Sequence, residues 1–113
     1  MKFENAKAQM RKGVLELCIL SIIGNEEVYP SDIIRRLKEN DLIVVEGTLY
    51  PMLTRLKDAG LLQYSWQESP AGPPRKYFQL TESGREALTE LHTAWSALVH
   101  AVAQTTRQNI TIP

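Results

Sequence analysis

The sequence has little of what disulfides, metal sites and active sites require. Among 113 residues there is one cysteine, Cys18, so no internal disulfide can form. The two histidines, His92 and His100, are eight residues apart, which is too far for a pair of metal ligands on successive helical turns. The six glycines are scattered, so there is no glycine-rich phosphate loop. We therefore predict no catalytic residue, metal or cofactor, and a protein that is not an enzyme.

A long apolar run is also missing. The first apolar stretch begins at Gly13 and is interrupted by Glu16 and Gly24. A secretory signal needs an apolar stretch directly after a basic start, and a membrane span needs about 20 apolar residues. We therefore expect a cytoplasmic protein that does not enter a membrane, with Cys18 as a buried, reduced thiol.

Charge of one sign is not in excess either. The 13 basic and 13 acidic residues cancel, which argues against attraction of nucleic acid by bulk charge. The charges are unevenly distributed, however: residues 25–47 hold three bases and six acids, residues 48–57 hold two bases and no acid, and residues 2–12 hold four bases and one acid. Any DNA-binding surface must therefore be locally basic, and we expect weak attraction to random DNA.

Hydrophobic periodicity predicts two helices in the first 40 residues. The first spans residues 3–23, and its second half, from Val14, is apolar on nearly every side, so that half should be buried on every side. The second helix begins at Pro30 after Tyr29, because proline is favoured in a first helical turn, and it ends near Asn40.

The middle of the chain predicts a third helix and a hairpin. Apolar residues at positions 49, 52, 53 and 56 predict a helix over about residues 47–59, with Gly60 suited to its C-terminal cap. Within residues 61–80, Leu62, Tyr64 and Trp66 alternate with polar residues, residues 68–74 are rich in proline and glycine, and residues 75–80 return as an extended segment. This pattern predicts a hairpin with a long tip, in which Trp66 has a structural role.

The last predicted helix begins after Thr81, which is a suitable N-cap residue, and continues to residue 106. Its apolar residues are spaced three and four apart, so they form a narrow seam along one side of the helix. Such a seam usually packs against another helix. The seam residues are Leu88, Leu91, Trp95, Leu98 and Val102.

Three helices followed by a hairpin are the order of a winged helix-turn-helix, in which the third helix enters the major groove and the hairpin contacts the DNA backbone or minor groove. The predicted fold class is therefore mainly α with a small β-hairpin (α+β). Residues 1–80 form the winged helix-turn-helix domain, residues 81–106 the long C-terminal helix, and residues 107–113 a flexible tail.

Polar side chains on the third helix and the hairpin have the chemistry of DNA contacts. Hydroxyls can bond to phosphates or base edges, arginine can bind guanine or phosphate, and lysine supplies a point charge. The alternative is that these side chains are only a solvated helix face, in a winged-helix module that binds another protein. The candidates are Thr48, Tyr50, Thr54, Arg55, Lys57, Arg75 and Lys76.

Three segments resemble the PadR family of bacterial transcriptional regulators: Gly47–Leu56 (GTLYPMLTRL), Gly60–Leu62 (GLL) and Pro74–Thr81 (PRKYFQLT), with Gly84 beyond them. Their spacing is similar to the short subfamily, which has one long C-terminal helix. The resemblance implies a homodimeric repressor that binds a pseudo-palindromic operator, with the seam of residues 81–106 as the dimerisation surface. It also implies that the seven candidates face the DNA.

The resemblance also bears on Trp95 and on the hairpin tip. In multidrug-sensing members of the family, a tryptophan at the matching place stacks flat aromatic ligands, which implies a small aromatic or lipophilic effector beside Trp95. We favour the alternative that Trp95 only packs in the seam. At the tip, Pro73 stands where many members have an arginine, and residues 30–32 (PSD) stand where many have a glycine, an aromatic residue and a glutamate. The tip should therefore be stiffer and make fewer phosphate contacts.

Overall fold

Residues 3–107 are described by a computed structural model of the protein. In this part of the chain, five helices and one antiparallel hairpin confirm the α+β class. Their order is α1 (Phe3–Lys12), α2 (Leu15–Ile23), α3 (Pro30–Glu39), α4 (Glu46–Asp58), β1 (Leu62–Ser69), β2 (Gly72–Leu80) and α5 (Glu82–Thr106).

The prediction of one continuous helix over residues 3–23 is wrong. The chain turns at Gly13, since glycine adopts non-helical backbone conformations easily. The Val14 amide donates to the Arg11 carbonyl at 3.0 Å, and this tighter hydrogen bond ends α1. The two halves also differ in burial. Helix α1 buries no side chain, whereas α2 buries three. The turn therefore lets the polar half leave the core.

The core lies between α2, α3, α4 and the base of the hairpin. Its members recur every three or four residues along the helices and every second residue along the strands, so each element contributes one apolar face. Helix α2 is not buried on every side as expected, since Leu17 and Ile22 are only half-buried. The buried core residues are Ile19, Leu20, Ile23, Val28, Ile33, Leu37, Val44, Leu49, Met52, Leu53, Leu56, Leu62, Phe78 and Leu80.

The hairpin is fixed to the helical domain at its base. Strand β2 pairs with β1 on one side, and on its other side Phe78 pairs with Val28, whose amide donates to the Phe78 carbonyl at 3.0 Å. The predicted long tip is wrong, because the strands continue to Ser69 and Gly72 and leave only two residues for the turn. Prolines 73 and 74 have no N–H to donate to the ladder, and they are tolerated because the pairing with β1 is irregular at this end of the hairpin.

Helix α5 begins as predicted. The Thr81 hydroxyl accepts a hydrogen bond from the Gly84 amide at 3.0 Å and donates one to the Gly60 carbonyl at 2.6 Å, so one residue caps α5 and fastens it to the end of α4. Only Gly84 of the 25 residues in α5 is buried. Most of this helix therefore lacks cover within a single chain.

No helix within residues 3–107 is both long and apolar enough to cross a membrane. Helix α5 ends at Thr106, in agreement with the predicted end. Residues 108–113 of the predicted tail lie outside the described residues, and the division into a domain of residues 1–80 and a dimerisation helix of residues 81–106 stays a prediction.

Candidate nucleic-acid interface

Helix α4 presents a broad polar arc opposite its buried side chains. At about 100° per residue, Tyr50, Thr54 and Lys57 lie within about 60° of one another around the helix axis. Thr48 and Arg55 lie together about 150° from Tyr50, at the other edge of the exposed arc. All five side chains are exposed. The α4 candidates therefore form two groups, one on each side of the helix.

The first group faces the hairpin. Tyr50 and Thr54 line a groove of about 550 Å³ together with Arg75 and Lys76 of β2. The opposite wall comes from the start of α3, at Tyr29, Pro30 and Ser31. The structure thus brings together four of the seven candidates, from two elements that are far apart in the sequence, and gives the groove hydroxyl and basic groups.

Aromatic rings hold the basic side chains of this groove in place. The Arg75 guanidinium carbon is 4.9 Å from the centroid of the Tyr29 ring, and the Lys76 Nζ is 4.4 Å from that of the Tyr64 ring. Lys57 Nζ, at the end of α4, is 5.8 Å from the same Tyr64 ring. A ring face attracts a cation without neutralising its charge. The ring contacts therefore leave Arg75 and Lys76 able to bind an anion as well.

Two aromatic residues of the hairpin belong to this surface and were missed as candidates. Trp66 is 61% exposed, so it is not a core residue, and its ring lies 5.4 Å from the Lys76 Nζ. Tyr64 is also exposed and meets Trp66 edge to face. The alternating pattern identified their side of the strand, but the core covers only its base at Leu62. The pairing of Trp66 with Lys76 across the strands is the signal that could have found them.

The second group faces α1 and α2. Thr48 and Arg55 line a groove of about 870 Å³ whose other wall includes Arg11 and Lys12 at the end of α1. The Arg55 guanidinium donates to the carboxylate of Glu16 in α2, with 2.5 Å between the nitrogen and oxygen atoms. Glu16 was not among the predicted site residues, and no local pattern connects it with a residue 39 positions later.

The predicted seam on α5 is largely uncovered in the single chain. Leu91, Trp95, Leu98 and Val102 are exposed, with Trp95 at 40% and Leu98 at 55%, whereas Leu88 packs against the chain's own core. Trp95, Leu98 and Val102 line an apolar groove of about 600 Å³ between α5 and the end of α1. The α1 side of this groove is formed by Met10, Arg11, Gly13 and Val14.

Trp95 also lines two smaller cavities against α2. One, of about 170 Å³, includes Leu17 and Leu91, and the other, of about 290 Å³, includes Cys18 and His92. Its indole is therefore only partly packed by its own subunit. Cys18 is half-buried, not buried as predicted, and this partial burial raises the pKa of its thiol above the ordinary value, so the thiol is not an activated nucleophile. Within residues 3–107, no three side chains of His, Cys, Asp or Glu are grouped as metal ligands.

Comparison with known proteins identifies relatives along most of the chain. The sequence model of the Transcriptional regulator PadR-like family matches residues 19–90. A transcriptional regulator of Mycobacterium tuberculosis is 34% identical over 94 residues, which cover 83% of this chain and 87% of that protein.

Solved structures agree with the sequence comparison. A PadR-like transcription factor from Bacteroides fragilis is 55% identical with a TM-score of 0.75, covering 89% of this chain and 98% of that one. Bacillus subtilis PadR, solved in complex with operator DNA, is 26% identical with a TM-score of 0.64, covering 69% of this chain and 45% of that one. The chain therefore belongs to the PadR-like family of transcriptional regulators, which are not enzymes, and has the winged-helix fold of that family.

Proposed function

We propose that the protein is a homodimeric repressor that binds a pseudo-palindromic operator through α4 and the hairpin. The observation that carries this proposal is the groove in which Tyr50 and Thr54 of α4 meet Arg75 and Lys76 of β2. Hydroxyls and bases from a helix and a neighbouring hairpin are what a winged helix presents to DNA. The relative from Bacillus subtilis, solved with operator DNA, supports the same role here.

The two grooves beside α4 suggest how the DNA backbone is held. When a helix enters the major groove, the two phosphate strands pass along its two sides. In this protein, bases stand on both sides of α4: Arg75 and Lys76 on the hairpin side, and Arg11 and Lys12 on the α1 side. The locally basic surface lies around one helix, although the formal net charge of the chain is zero.

A second copy of this chain is the occupant we propose for the apolar groove between α1 and α5. Helix α1 has ten residues and no buried side chain, and an isolated helix of this length is marginal in water. Exposed apolar residues on both walls, such as Met10 and Leu98, would be covered by the α5 helix of a second subunit. The pairing of the α5 helices would then set the distance between the two α4 helices, which must be about 34 Å to enter successive major grooves.

The same seam offers a route for regulation. A small aromatic or lipophilic effector beside Trp95 would enter the surface that sets the spacing of the α4 helices. The factor by which the effector weakens DNA binding would be set by how much more tightly it binds the dimer whose α4 spacing does not fit DNA than the dimer whose spacing does. The partly packed indole and the adjacent cavities support this role for Trp95. A regulator of this kind acts on chromosomal DNA, so we propose a cytoplasmic location.

DNA binding should depend on both sequence and salt. If Arg75 and Lys76 each neutralise one phosphate, a dimer makes about four such contacts, and its affinity should fall by about two orders of magnitude between 50 and 200 mM salt. Fluorescence anisotropy with DNA from upstream of the protein's own gene measures this, with a random duplex of equal length as the control. Binding that is indifferent to sequence and to salt would favour the alternative, a winged-helix module that binds another protein.

A further inference from the structure

The ion pair between Glu16 and Arg55 joins the candidate DNA-binding surface to the core of the domain. Helix α2, which carries Glu16, also contributes Ile19 and Leu20 to the core, so the carboxylate projects from a fixed backbone. Within residues 3–107, Arg55 is the one DNA-binding candidate whose charge is paired with an acid from a different element. Lys57 pairs with the adjacent Asp58.

The pair has two consequences for a DNA contact. An arginine has five N–H donors, and the hydrogen bond to Glu16 comes from only one of its nitrogens, so donors on the other nitrogens are left over. Since the Arg55 side chain is 60% exposed, its remaining donors face solvent in a direction that the pair sets. A long side chain that is already held loses less conformational freedom when it binds. The first consequence is therefore a preorganised arginine.

The second consequence concerns charge. The carboxylate partly cancels the positive charge of Arg55 and repels a phosphate that approaches it. The contact that Arg55 makes with phosphates of random DNA depends only on charge, so the Glu16 carboxylate weakens it. A directed hydrogen bond from the oriented guanidinium to one base edge or one phosphate of the operator is retained.

We propose that Glu16 is a positioning residue that sets DNA specificity by orienting Arg55 and by opposing its non-specific contact with phosphates. This inference rests on the proposed function, because it requires that the protein binds operator DNA through α4. It assigns to α2 a part in sequence discrimination, although Glu16 itself need not touch DNA.

The test compares operator DNA with a random duplex for the full-length protein and its Glu16→Gln variant. The substitution keeps the side-chain size and removes the charge. We expect the variant to bind random DNA at least about fivefold more tightly at 0.15 M salt, with a slope of log K against log salt that is steeper by about 0.9 per subunit. Operator affinity should not rise with it, so the ratio of operator to random affinity should fall.

Two further variants separate this role from a general effect of charge. Glu26→Gln removes the same charge from another ion pair, in which the carboxylate of Glu26, in the loop between α2 and α3, is 3.0 Å from the Arg36 guanidinium of α3, and it should leave the affinity ratio unchanged. In an Arg55→Ala background, Glu16→Gln should no longer change the ratio.

The outcomes are distinct. The inference is overturned if Glu16→Gln leaves the affinity ratio unchanged, if Glu26→Gln lowers the ratio equally, or if the effect of Glu16→Gln persists without the Arg55 side chain. If instead the unaltered protein binds operator and random DNA equally, the proposed function itself is wrong, and the inference is overturned with it.

Discussion

The Leu98→Glu variant should be monomeric and should bind operator DNA at least about a hundredfold more weakly than the unaltered protein. Leu98 lies between Trp95 and Val102 on the seam and is 55% exposed in the single chain. In the proposed dimer, the second subunit covers it, and a buried carboxylate without a partner costs several kcal/mol. A monomer presents one α4 helix and loses the gain from binding two half-sites at once. Sedimentation measures the mass, and fluorescence anisotropy measures the affinity.

Gln104→Glu is the matched control for this variant. Residue 104 lies on the same helix but about 160° from the middle of the seam, where its side chain is exposed. The Gln104→Glu substitution introduces the same charge and should leave both the mass and the operator affinity nearly unchanged. A dimeric Leu98→Glu variant with normal operator affinity would show that the seam is not the dimer surface.

The Gly84→Ala variant should lower the free energy of unfolding by about 3 kcal/mol, which corresponds to a fall in melting temperature of roughly 10 to 20 °C. A Cβ at residue 84 would stand 2.1 Å from the carbonyl oxygen of Leu61 and 3.4 Å from the Cβ of Leu80. The first of these atoms is backbone and cannot rotate away. The start of α5 would therefore have to move off the end of α4 and strain the Thr81 cap.

Gly47→Ala is the control for the change from glycine to alanine. A Cβ at residue 47, in the first turn of α4, would have no atom within 4 Å apart from its chain neighbours and the backbone of its own helix, and alanine favours helix by up to about 1 kcal/mol. Its melting temperature, followed by circular dichroism at equal protein concentration, should be unchanged or higher. Equal melting of Gly84→Ala and the unaltered protein would contradict the close packing of α5 on Leu61.

Local signals explain why much of the fold could be predicted. Pro30 and Thr81 mark helix starts through chemistry that acts within one turn, and the observed helices α3 and α5 begin at or beside them. The apolar spacing in α4 likewise identified the side that is buried. The ends and the buried sides of these helices are set by residues that are close in the sequence, so the sequence pattern alone is enough to predict them.

The errors concern features that tertiary contacts decide. A single glycine costs an exposed helix only about 1 kcal/mol, so the apolar pattern around Gly13 is compatible with a continuous helix. The turn there follows because α2 fits the core and the polar α1 does not. The prolines at positions 73 and 74 indicated a loop, but the pairing of Gln67 with Arg75 extends the strands towards the turn.

The candidate site was predictable in its residue types but not in their grouping. The exposed bases and hydroxyls of α4 and the hairpin were identified, yet their division between two sides of α4 depends on where α2 and β2 pack. Glu16 is distant from Arg55 in sequence, and only the fold brings them together. Trp66 lies on the core side of its strand but beyond the edge of the core, which alternation alone does not indicate.

Hydroxyl-radical footprinting of the protein on a DNA fragment that it binds tests the proposed dimeric operator recognition most directly. Two α4 helices entering successive major grooves should protect two patches on one face of the duplex, with centres about 10 base pairs, or roughly 34 Å, apart. The patches should be related by the two-fold symmetry of the operator. A single protected patch, or protection without a fixed position on the sequence, would contradict recognition of an operator by a dimer.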